Sequence, residues 1–298
     1  MKRLAPFFFA LNPVLWASFY SIGRDALKSI NPILFATAEI SVAALPGLFI
    51  LIVLGSGLTW KLVRSGILLG SVLYSGVFAS TWALNFTSAT DTGFYPALNG
   101  VFATLIAWAF LHKRIDRITW IAGAVSVVGV TFLVFQASHS HQSLVGEVIA
   151  LAAALIYTVY IFTADRETEG DGSGLWLVFA VELVVMAILS IGLAAATGHL
   201  NGAGWHEAAK VRTLIVYAGL ATTFVPTAIS IFFQRYANPV TVAYLYVLEP
   251  VWSALIALYW LSERISPLAY VGGGFIIAGS LIKNLLPVTT VDEKAPAT

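Results

Sequence analysis

Cysteine is absent from the 298 residues, which excludes disulfides, thiol nucleophiles and thiolate metal sites together and leaves the redox compartment unread. Charge is nearly as scarce. Asp, Glu, Lys and Arg make up 10% of the chain, against roughly 25% in a soluble protein, too few to cover a globular surface. The net charge of +1 argues against a nucleic-acid partner. There is no Gly-rich loop ending in Gly-Lys-Ser/Thr and no His-Glu-x-x-His, so ATP-driven pumping and zincin chemistry lack their usual residues. His139 and His141 lie in a loop without further ligands, so neither a metal nor another cofactor is expected.

What the chain does contain is apolar side chains: 59% of residues are hydrophobic and the mean hydropathy is +0.87. That describes a membrane protein. At roughly 20 residues per bilayer-crossing helix, this length holds at most about ten or eleven spans and no large soluble module. Apolar runs bounded by charge or turn residues predict an all-α, polytopic fold with helices near 6–23, 32–54, 65–87, 92–112, 117–135, 144–163, 174–196, 211–234, 240–261 and 267–286. Lys2 and Arg3 ahead of Phe7 to Leu11 resemble a signal peptide, but the apolar stretch contains Pro13 and Trp16 and runs too long, so it is read as a retained first helix.

Cationic charge accumulates on the cytoplasmic side of a membrane. With the N-terminus inside, Lys2, Arg3, Lys61, Arg64, Lys113, Arg114, Arg117, Arg166, Arg235, Lys283 and Lys294 are cytoplasmic, eleven of the sixteen cations. Arg24, Lys28, Lys210, Arg212 and Arg264 fall outside, with Lys210 and Arg212 fitting least well. Both termini are therefore expected in the cytoplasm.

The chain also repeats itself. At an offset of 150, Leu98, Val101, Leu105, Ile106, Ala107, Leu111, Arg114, Ile115, Gly123 and Gly129 face Leu248, Val251, Leu255, Ile256, Ala257, Leu261, Arg264, Ile265, Gly273 and Gly279. Near an offset of 143, Glu39 faces Glu182, with Trp60 and Trp205 at comparable loop positions. The expected organisation is a first five-helix repeat over 1–137, a second over 138–286 and a cytoplasmic tail over 287–298. Because five is odd, the second copy enters the membrane inverted, an arrangement suited to alternating access around a central cavity.

These segments carry a resemblance. Leu248-Glu249-Pro250-Val251-Trp252, Trp260-Leu261-Ser262-Glu263-Arg264-Ile265 and Gly272-Gly273 with Gly279 resemble the second-repeat signature of the drug/metabolite transporter superfamily, EamA type. The first copy, Leu98-Asn99-Gly100-Val101-Phe102 to Leu111-His112-Lys113-Arg114-Ile115, departs from it at Gly100 and Lys113, where the family often has Pro and Glu. An aromatic first half (Trp16, Tyr20, Tyr74, Trp82, Tyr95) together with Glu39 is similar to the aromatic amino acid exporter branch, YddG-like. The resemblance implies ten helices in the bacterial inner membrane and export of phenylalanine, tyrosine, tryptophan or related solutes.

Candidate substrate-binding residues follow from helical spacing and the resemblance. Tyr74, Phe78, Trp82 and Asn85 form a stripe on helix three. Helix one offers Asn12, Trp16 and Tyr20, helix four Tyr95, Asn99 and Phe102, helix six Tyr157 and Tyr160, and helix eight Thr223 and Thr227, while the second-repeat motif adds Trp252. Each aromatic is open to a second reading as an interfacial belt or helix-packing residue, the reading taken for Trp60, Trp120, Trp205 and Trp260. Ionisable groups deep in a span require a partner or a role. Glu249, one residue before Pro250, is the deepest, with the neutral Asn99 as its repeat partner; Glu39 and Glu182 are expected nearer water. Gly66 with Gly70, and Gly272 to Gly274 with Gly279, suit close helix packing or, for the second set, a dimer contact; a monomer is favoured. Two other functions stay open. One is efflux of drugs or quaternary cations on Glu249 and aromatic rings. The other is an intramembrane enzyme, for which Gly172-Ser173-Gly174 is a weak candidate in an acidic loop.

Overall fold

The computed structural model describes residues 5–139, 143–169, 174–237, 239–263 and 266–285. Lys2, Arg3, His141, Gly172, Ser173, Arg264, Lys294 and the 287–298 tail lie outside the described residues. Among the described residues the protein is all-helical, with a long helix at each of the ten expected places and one short helix that was not expected. The helices are α1 (Ala5–Ala26), α2 (Pro32–Leu54), α3 (Trp60–Leu84), α4 (89–109), α5 (Arg117–His139), α6 (Leu144–Glu167), α7 (Leu175–Ala196), the short α8 (Gly202–Lys210), α9 (Arg212–Phe233), α10 (239–261) and α11 (Pro267–Leu285). Five of them, α2, α3, α6, α7 and α9, are long and apolar enough to cross a membrane by length and composition alone. Large apolar side chains cover the outer surface, with Phe49, Ile52, Phe110 and Val148 all more than half exposed. This is a polytopic membrane protein.

Local capping explains where the helices depart from expectation. Helix α3 begins at Trp60 rather than near residue 65, because the Thr59 hydroxyl accepts from the Leu62 N–H and draws Lys61 and Arg64 into its first turns. Helix α4 begins at Ala89 because Ser88 accepts from the Asp91 N–H at 3.0 Å while its own hydroxyl donates to Asp91 Oδ2 at 2.7 Å. Asn201 likewise starts α8, its side chain accepting from the Gly204 N–H at 2.9 Å. A Ser-x-x-Asp pair and an Asn ahead of a small amphipathic stretch are sequence signals of helix starts.

The helices meet in reciprocal pairs. Helix α3 packs on α6 and α7, as α9 packs on α1 and α2, while α2 with α7 and α5 with α11 pair directly. Close backbone approach makes this possible. A Cβ on Gly70 would sit 2.6 Å from the Glu182 carbonyl oxygen, and one on Gly219 would sit 2.5 Å from that of Glu39. Gly129 lies against the Gly272 carbonyl and Ile276, and Gly279 against the Ala122 carbonyl and Ser126. These contacts of Gly272 and Gly279 are internal, between α5 and α11, not the dimer surface held open for this stripe. The turns echo the repeat as well. Among the described residues the two non-Gly residues with positive φ are His112 (51°) and Ser262 (56°), 150 apart, and the next N–H in each case returns to the helix, Lys113 to the Ala107 carbonyl and Glu263 to that of Ala257. Glu263 then caps α4 from the other half of the chain, accepting from the N–H groups of Ala89 and Thr90 and from the Thr90 hydroxyl at 2.7 Å.

Glu39 and Glu182 are not near water. Both are fully buried; Glu39 has no hydrogen-bond partner, and Glu182 faces the Tyr160 hydroxyl without a closed bond. The reason is the glycine contacts, which shut the seams of α2 and α7 over carboxylates that depth along the helix alone would leave accessible. Trp60, Trp120, Trp205 and Trp260 are exposed at helix ends.

Candidate functional site

The centre of the bundle is organised by three interrupted helices. In α4 the turn Tyr95–Leu98 tightens to a 3-10 helix at Pro96, and regular helix resumes at Asn99. In α10 the turn Tyr246–Leu248 does the same, and regular helix resumes at Glu249 ahead of Pro250. In α9 the turns Ala218–Phe224 widen to a π-helix, in which the Val225 N–H reaches back to the Leu220 carbonyl. Pro226 lacks the N–H that would bond the Thr222 carbonyl, and that deficit is what lets the register slip.

A small cavity lies where these interruptions meet. Its wall takes Trp16, Phe19 and Tyr20 from α1, Val77 from α3, Pro96 and Asn99 from α4, Tyr157 from α6, Thr222 and Thr223 from α9 and Glu249 from α10. Asn99 and Glu249, each the first residue of a resumed helix, therefore face one space. The Glu249 carboxylate accepts from the Tyr20 hydroxyl at 2.7 Å through Oε1, while Oε2 is buried with no partner. Asn99 accepts through Oδ1 from the Thr158 hydroxyl at 3.3 Å, which leaves its NH2 group to donate. The Thr222 hydroxyl donates to the Ala218 carbonyl and presents its lone pairs. Trp16 stands edge-on to Tyr246 (centroids 5.0 Å apart) and beside Tyr157 (5.8 Å), and Asn12 steadies Tyr246 by donating to its hydroxyl at 2.9 Å. Chemically the wall offers one carboxylate, several neutral donors and acceptors, and aromatic faces. Among the described residues it includes no Lys, Arg or His.

The cavity volume is about 20 Å³, close to the minimum of roughly 10–15 Å³ that admits one water. This conformation is closed. Its walls must part before any amino acid or larger solute can enter.

Six of the twelve candidate residues come together here: Trp16, Tyr20, Asn99, Tyr157, Thr223 and Glu249. The other six lie outside the wall. Tyr74, Phe78 and Trp82 stack on one another, centroids 5.9 and 5.8 Å apart, along a half-buried flank of α3. The inward face of α3 carries glycine and aliphatic residues instead, Gly66, Leu69, Gly70, Leu73 and Val77, and successive residues step about 100° around a helix, so the four-residue stripe turns aside. Asn85 is exposed at the end of α3. Tyr95 is buried but donates to Glu147 at 2.5 Å, and Trp252 is 39% exposed on the outer face of α10. Of the remaining helix residues offered, Tyr160 faces Glu182 and Thr227 donates to the Thr223 carbonyl.

The wall residues not anticipated are Phe19, Val77, Pro96 and Thr222. Pro96 carried a readable signal, a helix breaker 150 residues before the Tyr246 turn. Glu147 was also missed. It is buried between Tyr95 and the Thr87 hydroxyl, which donates to it at 2.5 Å, but an acidic residue in a first helical turn reads as an ordinary end charge.

Comparison with known proteins agrees with this architecture. A transporter of Archaeoglobus fulgidus described as uncharacterized is 25% identical over 293 residues, covering 96% of this chain and 87% of its own. A probable terminal-alkyne amino-acid exporter of Streptantibioticus cattleyicolor is 32% identical over 197 residues, covering 63% of this chain and 61% of its own. One crystal structure superposes with a TM-score of 0.66 at 16% identity, over 96% of this chain and 98% of that one, a likeness of fold. The profile of the EamA-like transporter family matches twice, at residues 3–135 and 144–285, so the halves that pair reciprocally in the structure are two copies of one family unit and the chain belongs to the EamA-like transporter family.

Proposed function

We propose that this transporter exports small amphipathic metabolites that bear an ammonium group, aromatic amino acids foremost, across the bacterial inner membrane by alternating access. The observation that carries this reading is the buried, unpartnered Oε2 of Glu249, a residue that lines the same cavity as Trp16, Phe19 and Tyr157. An ammonium completes the carboxylate's hydrogen bonding, an aromatic side chain stacks on the rings, and the substrate carboxylate falls to the Asn99 amide and the α9 threonines. The amino-acid exporter among the relatives supports the same class. Efflux of quaternary cations is the second reading, favoured by a wall with one anion and no cation, since such a solute needs no partner for a carboxylate.

Reconstitution in proteoliposomes separates these readings. Counterflow of labelled phenylalanine, tryptophan and threonine is expected to favour the aromatic solutes, with a quaternary ammonium competing weakly. Trp16→Ala is expected to lower the phenylalanine-to-threonine flux ratio by about 2- to 10-fold, from a stacking contribution of about 0.5–1.5 kcal/mol, while Phe78→Ala leaves the ratio unchanged and lowers thermal stability. A ratio unmoved by Trp16→Ala, or strong transport of the quaternary cation alone, overturns the amino-acid reading.

We infer the same topology from charge and repeat, with both termini and the Lys113 turn cytoplasmic and the Ser262 turn external. The absence of native Cys makes Lys113→Cys and Ser262→Cys clean reporters. An impermeant maleimide is expected to reach position 262 in intact cells and position 113 only after permeabilisation; labelling from one side contradicts inversion.

A further inference from the structure

A second, larger concavity lies on the outside of the bundle. It is a groove of about 530 Å³ walled by α2, α7, α8 and α9, with Leu34, Val42, Leu45, Ile191 and Val216 among its apolar residues. The hydroxyls of Thr37 and Ser41 also border it, but both are spent on backbone: Thr37 donates to the Ile33 carbonyl and lies 3.1 Å from that of Ser190, and Ser41 donates to the Thr37 carbonyl. The groove is therefore chemically apolar along its length. Its mouth is different. Arg212, exposed at the start of α9, and Trp205, which is 64% exposed on α8, border it, and Lys210 ends α8 two residues before Arg212. Among the described residues neither cation forms an ion pair, and Glu207 on the same short helix is bonded to neither. These are also the two cations that fit the charge asymmetry of the loops least well.

We propose that this groove binds one anionic phospholipid, with the phosphate on Arg212 and Lys210 and an acyl chain along α2. An apolar slot that opens on the outer surface and is bordered by Arg212 and an interfacial Trp, with Lys210 two residues away along the chain, matches the two ends of such a lipid and no zwitterionic amino acid, whose ammonium the cations repel. Anionic charge at the surface attracts each nearby Lys or Arg by about five-fold in affinity, so the pair is expected to separate anionic from zwitterionic lipid by roughly 25-fold. The site does not depend on the transport reading, since none of these residues lines the central cavity.

The test uses the full-length protein, delipidated in detergent and titrated with phosphatidylglycerol or with phosphatidylcholine of the same chains, with bound lipid counted by native mass spectrometry. One phosphatidylglycerol is expected to be retained, at least ten-fold more tightly than phosphatidylcholine. The double variant Lys210→Gln/Arg212→Gln is expected to erase that preference, and Ala38→Phe, which fills the groove, to remove both lipids while the protein stays monomeric. Ala209→Leu, at the exposed edge of the groove, provides the same blockade if Ala38→Phe does not fold. Equal retention of the two lipids, a preference that survives the double variant, retention that neither filling variant reduces, or a dimer that the filling variants dissolve would each overturn the proposal.

Discussion

Glu249→Gln is expected to reduce aromatic amino acid flux by about 10- to 100-fold with the protein still folded. The carboxylate is the one anion among the described residues of the cavity wall, and a charge-assisted hydrogen bond to an ammonium is worth about 1.5–3 kcal/mol, with each 1.4 kcal/mol a factor of ten. Gln keeps the shape of Glu and an oxygen that still accepts from the Tyr20 hydroxyl, now 2.7 Å from Oε1, so the contact between α1 and α10 persists. It replaces the unpartnered Oε2 with an NH2 group that cannot accept from a substrate ammonium. Tyr20→Phe is the companion variant; it removes the donor and leaves the charge, so its effect on flux is expected to be smaller. Proteoliposome flux normalised to folded protein is the measurement, and a folded Glu249→Gln variant with wild-type flux removes Glu249 from substrate recognition.

Gly70→Ala and Gly219→Ala are expected to destabilise the bundle strongly, each costing about 1–3 kcal/mol through overpacking. A Cβ at either position would lie 2.5–2.6 Å from a carbonyl oxygen of the facing helix. Backbone cannot swing aside as a flexible side chain does, so α3 must retreat from α7, or α9 from α2. The two effects are expected to be similar in size because the contacts are reciprocal. Gly192→Ala and Gly274→Ala are the controls, since a Cβ there meets nothing within 4 Å and Ala is favoured over Gly within a helix by about 0.5–1 kcal/mol. Thermal unfolding in detergent distinguishes them; melting temperatures that fall equally for all four variants contradict the tight-seam account.

The sequence by itself determined the solvent, the fold class and the internal repeat, because each is written in local composition. Scarce charge and long apolar runs leave no surface for water, and helix boundaries follow from caps and breakers within a turn or two. Recurrence of Leu, Gly and Arg at an offset of 150 survives any folding detail, and it reappears in the structure as paired turns at His112 and Ser262. Even Asn99 and Glu249 were legible as a matched pair, since each opens a resumed helix at the same place in its repeat.

Only the tertiary structure decided which faces meet. The stripe of Tyr74, Phe78 and Trp82 is a true helical stripe, but periodicity carries no information on the angle at which a helix in lipid presents itself, because both the bilayer and the interior accept apolar rings. The small residues of α3 set that angle, since close backbone approach at Gly66 and Gly70 turned them inward and left the rings on a flank. Gly70 sealed Glu182 in the same way, and Gly219 of α9 sealed Glu39, although the depth of both carboxylates along their helices predicted access to water. The slip to a π-helix in α9 brought Thr222 and Thr223 to the cavity together. The facing of α3 and the sealing of the two carboxylates rest on contacts between residues about 100 or more positions apart, which a pattern read along one helix does not encode.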